Sequence, residues 1–165
     1  MVKAYLGLGS NLGDRAGTLR SARREITRAF PGARFSNIYE TEPVELADQP
    51  WFLNQASEIG TDLTPAALLE WVRALERQHD RRRTVPKGPR TLDVDILLYG
   101  EAAFRADGLA VPHPGLLKRR FVLLPLSELA HDMVVPGSSM TVGDALKRLS
   151  DEAHVRPFDG GTATC

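Results

Sequence analysis

A single cysteine, Cys165, stands at the last position, so the chain closes no intrachain disulfide and is not expected to hold a thiol in an active-site geometry. A reducing compartment is compatible with that. Long apolar runs are missing too. The first, in MVKAYLGLGSN, is short before Gly9, and no other approaches the ~20 residues that span a bilayer, so no membrane role is expected and the default location is cytoplasmic. Charge of one sign is also absent: 21 lysines and arginines face 21 aspartates and glutamates. No global field drives the surface onto nucleic acid or anionic lipid, and any charge-based function must be local. Aromatic residues make up 7% of the chain and form no RNA-stacking signature. What remains, 165 residues of which 42% are apolar, suits one compact domain that buries roughly two-thirds of its unfolded surface. No repeat, low-complexity segment or dividing linker is present.

Hydrophobic spacing orders the chain. Val2 to Leu8 is a short apolar strand bounded by Gly9-Ser10-Asn11. Asp14 is placed to cap a helix, in which Leu19, Ala22, Ile26, Ala29 and Phe30 recur at helical intervals until Pro31-Gly32. Arg34 to Tyr39 predicts a second strand, followed by an acidic, proline-bearing loop from Thr41 to Pro50, and Trp51 to Ile59 predicts a third strand. Thr64-Pro65 pairs an N-cap with a first helical position for a helix carrying Leu68, Leu69, Val72 and Leu75, which stops near His79. An arginine-rich loop to Pro89 leads to the most apolar strand, Thr91 to Tyr99. This βαββαβ order predicts an α+β, ferredoxin-like core: an antiparallel sheet with helices on one face. A C-terminal extension comes next, with a short strand pair, a His-Pro turn, an apolar helical segment from Phe121 to Ala130 and a last helix from Val142 to Leu149. The expected division is a domain over 1–150 and a polar tail over 151–165.

In RTLDVDILLYG, Asp93 and Asp95 are two residues apart, so on a strand their side chains leave one face with Cα atoms ~6.6 Å apart. Leu92, Val94 and Ile96 take the other face and oppose a slip that would bury the acids. Two carboxylates this close repel unless a cation lies between them, and hard oxygen ligands suit Mg²⁺ that also takes phosphate oxygens. A half-exposed strand that happens to carry two acids is the plain alternative. The neighbouring charge favours the metal–nucleotide reading: Arg73, Arg77, Arg81, Arg82, Arg83, Lys87 and Arg90 precede the strand against only Glu76 and Asp80, and guanidinium groups distribute donors over phosphate oxygens. A solvated helix end favoured by its dipole accounts for some of these cations but not all.

Gly7-Leu8-Gly9-Ser10-Asn11-Leu12-Gly13 misses the dinucleotide pattern because its third glycine comes one place late, and no Walker lysine is found after it. It is read as a tight turn bringing backbone close to a ligand or to the next helix. Phe52 and Asn54 share a strand face. An aromatic ring beside an amide can hold a flat heteroaromatic ring by stacking and hydrogen bonding, whereas a core phenylalanine beside a turn-forming asparagine is the bland reading. His113, between Pro112 and Pro114, carries no functional signal of its own.

In order, GLGSNLGD, DQPWFLNQA, ALERQHDRRR, GPRTLDVDILLYG and VPHPGLLKRRFVLLPL are similar to the 6-hydroxymethyl-7,8-dihydropterin pyrophosphokinase family, over roughly residues 3 to 135. The resemblance implies a ferredoxin-like fold and transfer of the β,γ-diphosphate of ATP to the pterin hydroxyl in folate biosynthesis. It also implies two Mg²⁺ ions held by Asp93 and Asp95. Asn54 would bond the pterin ring with help from the backbone of Thr41 and Val44, and Phe52 and Phe121 would enclose it. Glu76, Arg83, Arg90, His113 and Arg119 would contact the nucleotide and its phosphates. Arg81 would lie in a closing loop, with Arg81 and Arg90 catalytic beside the aspartates. Small-molecule substrates and a monomer are implied. The chain departs from the family pattern at Asp80, where glycine is common, and at Pro86-Lys87, where an arginine–tryptophan pair is common. Two other readings use the same residues: a metal-dependent nuclease or nucleotidyl transferase, and a non-catalytic ferredoxin-like RNA-binding module, which the neutral total charge disfavours.

Overall fold

The computed structural model describes residues 1–43, 48–79, 91–150 and 153–159. Strand β1 (Val2–Ser10) leads to helix α1 (Arg15–Ala29), whose first turn is closed by Asp14: its Oδ1 accepts from the Gly17 N–H at 3.0 Å, a cap worth about 1 kcal/mol. Two short strands, β2 (Arg34–Phe35) and β3 (Tyr39–Thr41), precede the long β4 (Phe52–Thr61). Helix α2 (Pro65–Gln78) starts as its sequence predicts, with Thr64 Oγ1 accepting from the Ala67 N–H at 3.2 Å and Pro65 in the first turn. Strand β5 (Asp93–Tyr99) completes the core order. The hairpin β6 (Phe104–Ala106) and β7 (Leu109–Val111), a 3-10 turn (Leu116–Lys118), α3 (Arg120–Ala130), α4 (Val142–Arg148) and β8 (Val155–Pro157) make up the rest.

The sheet runs β5-β1-β4-β3-β8, with β2 also on β4. Every pairing is antiparallel, which is the ferredoxin-like arrangement the element order implies. Alternation along the strands divides the apolar residues between two cores. Leu6, Leu8, Leu53, Ile59, Val94 and Ile96 face α1 and α2, where they meet Leu19, Ile26, Leu68 and Val72; each such side chain contributes about 1.5–3 kcal/mol of transfer free energy. On the opposite face Tyr5, Leu97 and Leu98 meet Leu123 and Leu126 of α3 and Val142 and Ala145 of α4. The two core helices thus share one face as expected, and the helices of the C-terminal extension cover part of the second, because the strands expose apolar residues there too. No helix among the described residues is long and apolar enough to cross a membrane.

Three differences from the sequence reading have local causes. The strand expected over Arg34 to Tyr39 is broken in two, because Ser36 replaces a carbonyl with its own hydroxyl: the Ala56 N–H donates to Ser36 Oγ at 2.9 Å. The Ser36 carbonyl turns instead to Gln55 Nε2 at 2.7 Å. In β5 the pairing with β1 shifts register, from Leu6 opposite Ile96 to Tyr5 opposite Leu98. Leu97 is thus an extra residue, a β-bulge. Finally, the segment expected as a polar tail contributes β8, which pairs Val155 with Thr41, Arg156 with Glu40 and Pro157 with Tyr39.

Candidate active site

The bulge decides where the site opens. Asp93 and Asp95 point to the second face with period two, and the extra residue then lets both Leu97 and Leu98 join the core under α3 and α4. The half of the face nearest Asp93 keeps a polar lining. Asp95 is 45% exposed at its side chain, as a carboxylate that is to meet a hydrated ion requires. Among the described residues no group of three or more histidine, cysteine, aspartate or glutamate side chains could hold a metal. Two carboxylates on one strand face are hard oxygen donors of the kind that share Mg²⁺ with phosphate and water.

Gly7 and Gly9 lie inside β1, not in a turn, so the expectation of a tight glycine loop is corrected to a stretch of strand without side chains. Gly9 is paired with Asp93 on one side and with Asn54 on the other, which sets the carboxylate and the amide in one cross-strand row, about 10 Å apart at two interstrand steps. A Cβ at Gly9 would lie 2.9 Å from Asn54 Oδ1; glycine is required for this close approach. Asn54 donates from Nδ2 to Thr41 Oγ1 at 2.6 Å, which fixes the amide and directs Oδ1 over the strand. Phe52, opposite Thr41 in the β3–β4 ladder, shares that face.

His113 is reached by a second consequence of the bulge, since its backbone N–H donates to the Leu97 carbonyl at 2.9 Å. Its Nδ1 accepts from the Gly115 N–H at 3.0 Å, which assigns the ring proton to Nε2. That atom is 3.8 Å from Asp95 Oδ2, beyond hydrogen-bond range. Burial, reinforced by the Arg119 charge and opposed by Asp93, holds the imidazole below the usual histidine range, so at neutral pH it is an uncharged N–H donor. Arg119 crosses Gly115, where a Cβ would be 3.0 Å from its Cζ, and sits 5.8 Å from the Phe121 ring centre.

The structure thus gathers Asp93, Asp95, His113 and Arg119 around one side of this face, and Thr41, Phe52 and Asn54 around the other, with Phe121 beside Arg119. Glu76 is buried on the last turn of α2. Val44, Arg81, Arg83 and Arg90 lie outside the described residues. Sequence reasoning missed Asn11, whose Nδ2 donates to Gln49 Oε1 at 2.9 Å and to the Pro50 carbonyl at 3.0 Å, and Arg15, which donates to the Trp51 carbonyl at 2.8 Å. Both hold the approach to β4, and only the run Ser10-Asn11 at a strand end hinted at it.

Fold and site together define an α+β domain that carries two carboxylates and, across Gly9, an amide beside an aromatic ring on one sheet face, an arrangement of the class found in phosphate-transferring enzymes. The model of the 7,8-dihydro-6-hydroxymethylpterin-pyrophosphokinase family matches residues 5–131, and the chain belongs to that family. A 2-amino-4-hydroxy-6-hydroxymethyldihydropteridine pyrophosphokinase of Methylorubrum extorquens is 44% identical over 152 residues, covering 90% of this chain and 94% of the relative. Its counterpart in Bacillus subtilis is 45% identical over 132 residues, or 79% of each chain. The Folic acid synthesis protein fol1 of Schizosaccharomyces pombe is 38% identical over 90% of this chain, which spans 21% of that longer protein. A crystal structure of an HPPK-DHPS in complex with substrates shares the fold, with a TM-score of 0.71 at 12% identity; 88% of this chain matches 43% of that one. Members of the family are transferases that move pyrophosphoryl groups in folate biosynthesis.

Proposed function

We propose that the open half-face is where this chain carries out its family's reaction, transfer of the β,γ-diphosphate of ATP to the hydroxyl of 6-hydroxymethyl-7,8-dihydropterin with release of AMP. The observation that carries the assignment is the row Asp93, Gly9, Asn54. It offers a phosphate end and a ring-reading end joined by Gly9, which puts no side chain between them. At the ring end Asn54 Oδ1 accepts from a pterin N–H, the amide plane being fixed by the one Nδ2 hydrogen that Thr41 Oγ1 takes. Phe52 and Phe121 would enclose the ring, and the backbones of Thr41 and Val44 would help to bond it. At the phosphate end His113 donates its Nε2 proton to a phosphate oxygen without adding charge, and Arg119 adds a cation. Two Mg²⁺ ions held by Asp93 and Asp95 would neutralise and orient the phosphate oxygens when bound. Glu76, Arg83 and Arg90 would complete the nucleotide contacts, and Arg81 would close over them. The residues' task is alignment and charge stabilisation, which phosphoryl-type transition states chiefly demand. The working unit is taken as a cytoplasmic monomer, with the domain over 1–150 extended by β8 from the segment beyond it.

Incubating the chain with ATP, Mg²⁺ and the pterin alcohol tests this directly. AMP and pterin diphosphate should appear in equal amounts, and neither without the pterin. AMP released in its absence would favour a nucleotidyl transferase or nuclease, and ADP as product would overturn the bond assignment.

A further inference from the structure

The residues behind the ring-reading pocket form a closed ring of contacts that the reaction itself does not use. Glu40 lies on β3 between Tyr39 and Thr41, so its side chain points to the opposite face from Thr41. Arg156, its cross-strand partner on β8, donates to Glu40 Oε1 from Nε at 3.0 Å and from Nη2 at 2.5 Å. The same guanidinium lies 4.6 Å from the Trp51 ring centre. Arg15, at the start of α1, reaches the other Glu40 oxygen at 2.9 Å and donates to the Trp51 carbonyl at 2.8 Å. The ring Arg156, Glu40, Arg15, Trp51 therefore fastens β8 and α1 to the two strands whose front carries Thr41, Phe52 and Asn54. Two backbone anchors flank it. The Phe158 N–H donates to the Ile38 carbonyl at 3.0 Å, and Glu42 and His154 exchange bonds, Glu42 N–H to the His154 carbonyl at 3.1 Å and His154 N–H to Glu42 Oε1 at 2.8 Å.

We propose that β8, with Arg156 as its anchor, positions the pterin side of the site: the C-terminal strand holds β3 at the spacing from β4 that lets Thr41 orient the Asn54 amide. It rests on the assignment of Asn54 to the pterin ring. Without β8, β3 is a three-residue edge strand, and short edge strands have little of their own to fix them. The geometry demands arginine in particular, because Arg156 bonds a carboxylate with two nitrogens while stacking on an indole, and a lysine ammonium does neither well. Glu40 is only 16% exposed at its side chain while Arg156 keeps 64%, so the carboxylate is sheltered and the guanidinium covers it from the solvent side. The family model ends at residue 131, and β8 lies wholly beyond it.

Arg156→Ala, Arg156→Lys and a chain ending after Ser150 test the proposal. At saturating ATP, Arg156→Ala should raise the pterin KM about three- to fivefold, the most that one part-exposed ion pair supplies when its whole loss reaches the site, while the ATP KM stays within about 1.5-fold of wild type. Arg156→Lys should fall between the two, and truncation should exceed Arg156→Ala. In ¹⁵N-labelled protein the Asn54 side-chain amide signals should shift or broaden in Arg156→Ala, and this arm needs no substrate. An unchanged pterin KM with unmoved Asn54 signals would overturn the proposal, as would equal rises in both KM values, which mark a general loss of structure. Wild-type protein that makes no AMP from ATP and pterin would overturn the functional reading instead, and the Asn54 spectra would still decide whether β8 orients that amide.

Discussion

Gly9→Ala places one methyl group at the middle of the proposed site. The backbone at Gly9 is ordinary strand, so alanine adds no dihedral strain, and the effect must come through contacts. The new Cβ would stand 2.9 Å from Asn54 Oδ1, closer than such atoms approach, with Phe52 Cδ1 at 3.8 Å and the Leu53 carbonyl at 3.9 Å. The amide cannot simply retreat, because its other end is already 2.6 Å from Thr41 Oγ1. It must rotate away, and the Asn54–Thr41 bond is lost, at a cost of about 0.5–1.5 kcal/mol. Alanine returns roughly 0.5–1 kcal/mol by restricting the unfolded chain. Net stability should therefore change by under about 1 kcal/mol, a Tm shift of a few degrees. Pterin affinity should fall by about ten- to a hundredfold, since the ring loses an oriented partner, while an ATP analogue binds about as before. Calorimetry with each ligand separately, alongside a thermal melt, measures all three. Pterin binding within about twofold of wild type in the folded variant would refute the claim that Asn54, held between Gly9 and Thr41, reads the ring.

Two further perturbations probe other parts of the molecule. Asp95→Ala should keep its Tm, because the side chain is half exposed, yet lose AMP formation by roughly a thousandfold or more as one carboxylate of the metal pair disappears. Its ATP-analogue affinity should also lose most of its Mg²⁺ dependence, and near-normal turnover would refute the pairing. Glu40 is held below its usual value of 4.5, chiefly by hydrogen bonding from Arg156 and also by Arg15, against the raising effect of burial. A depressed folded value means that its stabilisation is full above about pH 4.5 and fades as pH falls through the folded value. In urea titrations the stability gap between wild type and Glu40→Gln should therefore narrow in acid, and a gap that is constant or widens there would refute the linkage.

Much of this was legible in the residues because it rests on period. Leu19, Ala22 and Ile26 could bury one helical stripe only, and Asp93 and Asp95 had to share a face once Val94 and Ile96 were committed to the core. Thr64-Pro65 fixed a helix start by local chemistry. Other features depend on partners far away in the chain. Gly7 and Gly9 resemble a turn until β4 and β5 are known to flank them. The break at Ser36 arises from a hydroxyl meeting Ala56, twenty residues on, and nothing in Arg34 to Tyr39 announces it. β8 carries too few apolar residues to be seen as a strand. Its pairing is decided by Arg156 finding Glu40 and Trp51. The departures at Asp80 and Pro86-Lys87 fall outside the described residues.

The position of Leu97 connects these observations. With strict alternation, Leu97 alone would join Asp95 on the second face, and Leu98 would return to the α1–α2 core. One inserted residue puts both leucines under α3 and α4, so the second helical layer is anchored within two residues of a carboxylate it does not cover. The bulge also turns the Leu97 carbonyl toward His113 and lays the Leu97 side chain beside Gly7, where a Cβ would be 3.3 Å from it. A single irregularity thereby sets the edge of the open face, seats the neutral imidazole beside Asp95 and closes one end of the bare strand. The carboxylate pair owes its common face to alternation and the second core its extra leucine to the bulge two residues on, so the sheet can hold an exposed polar site beside a buried apolar one without a separate domain to build it.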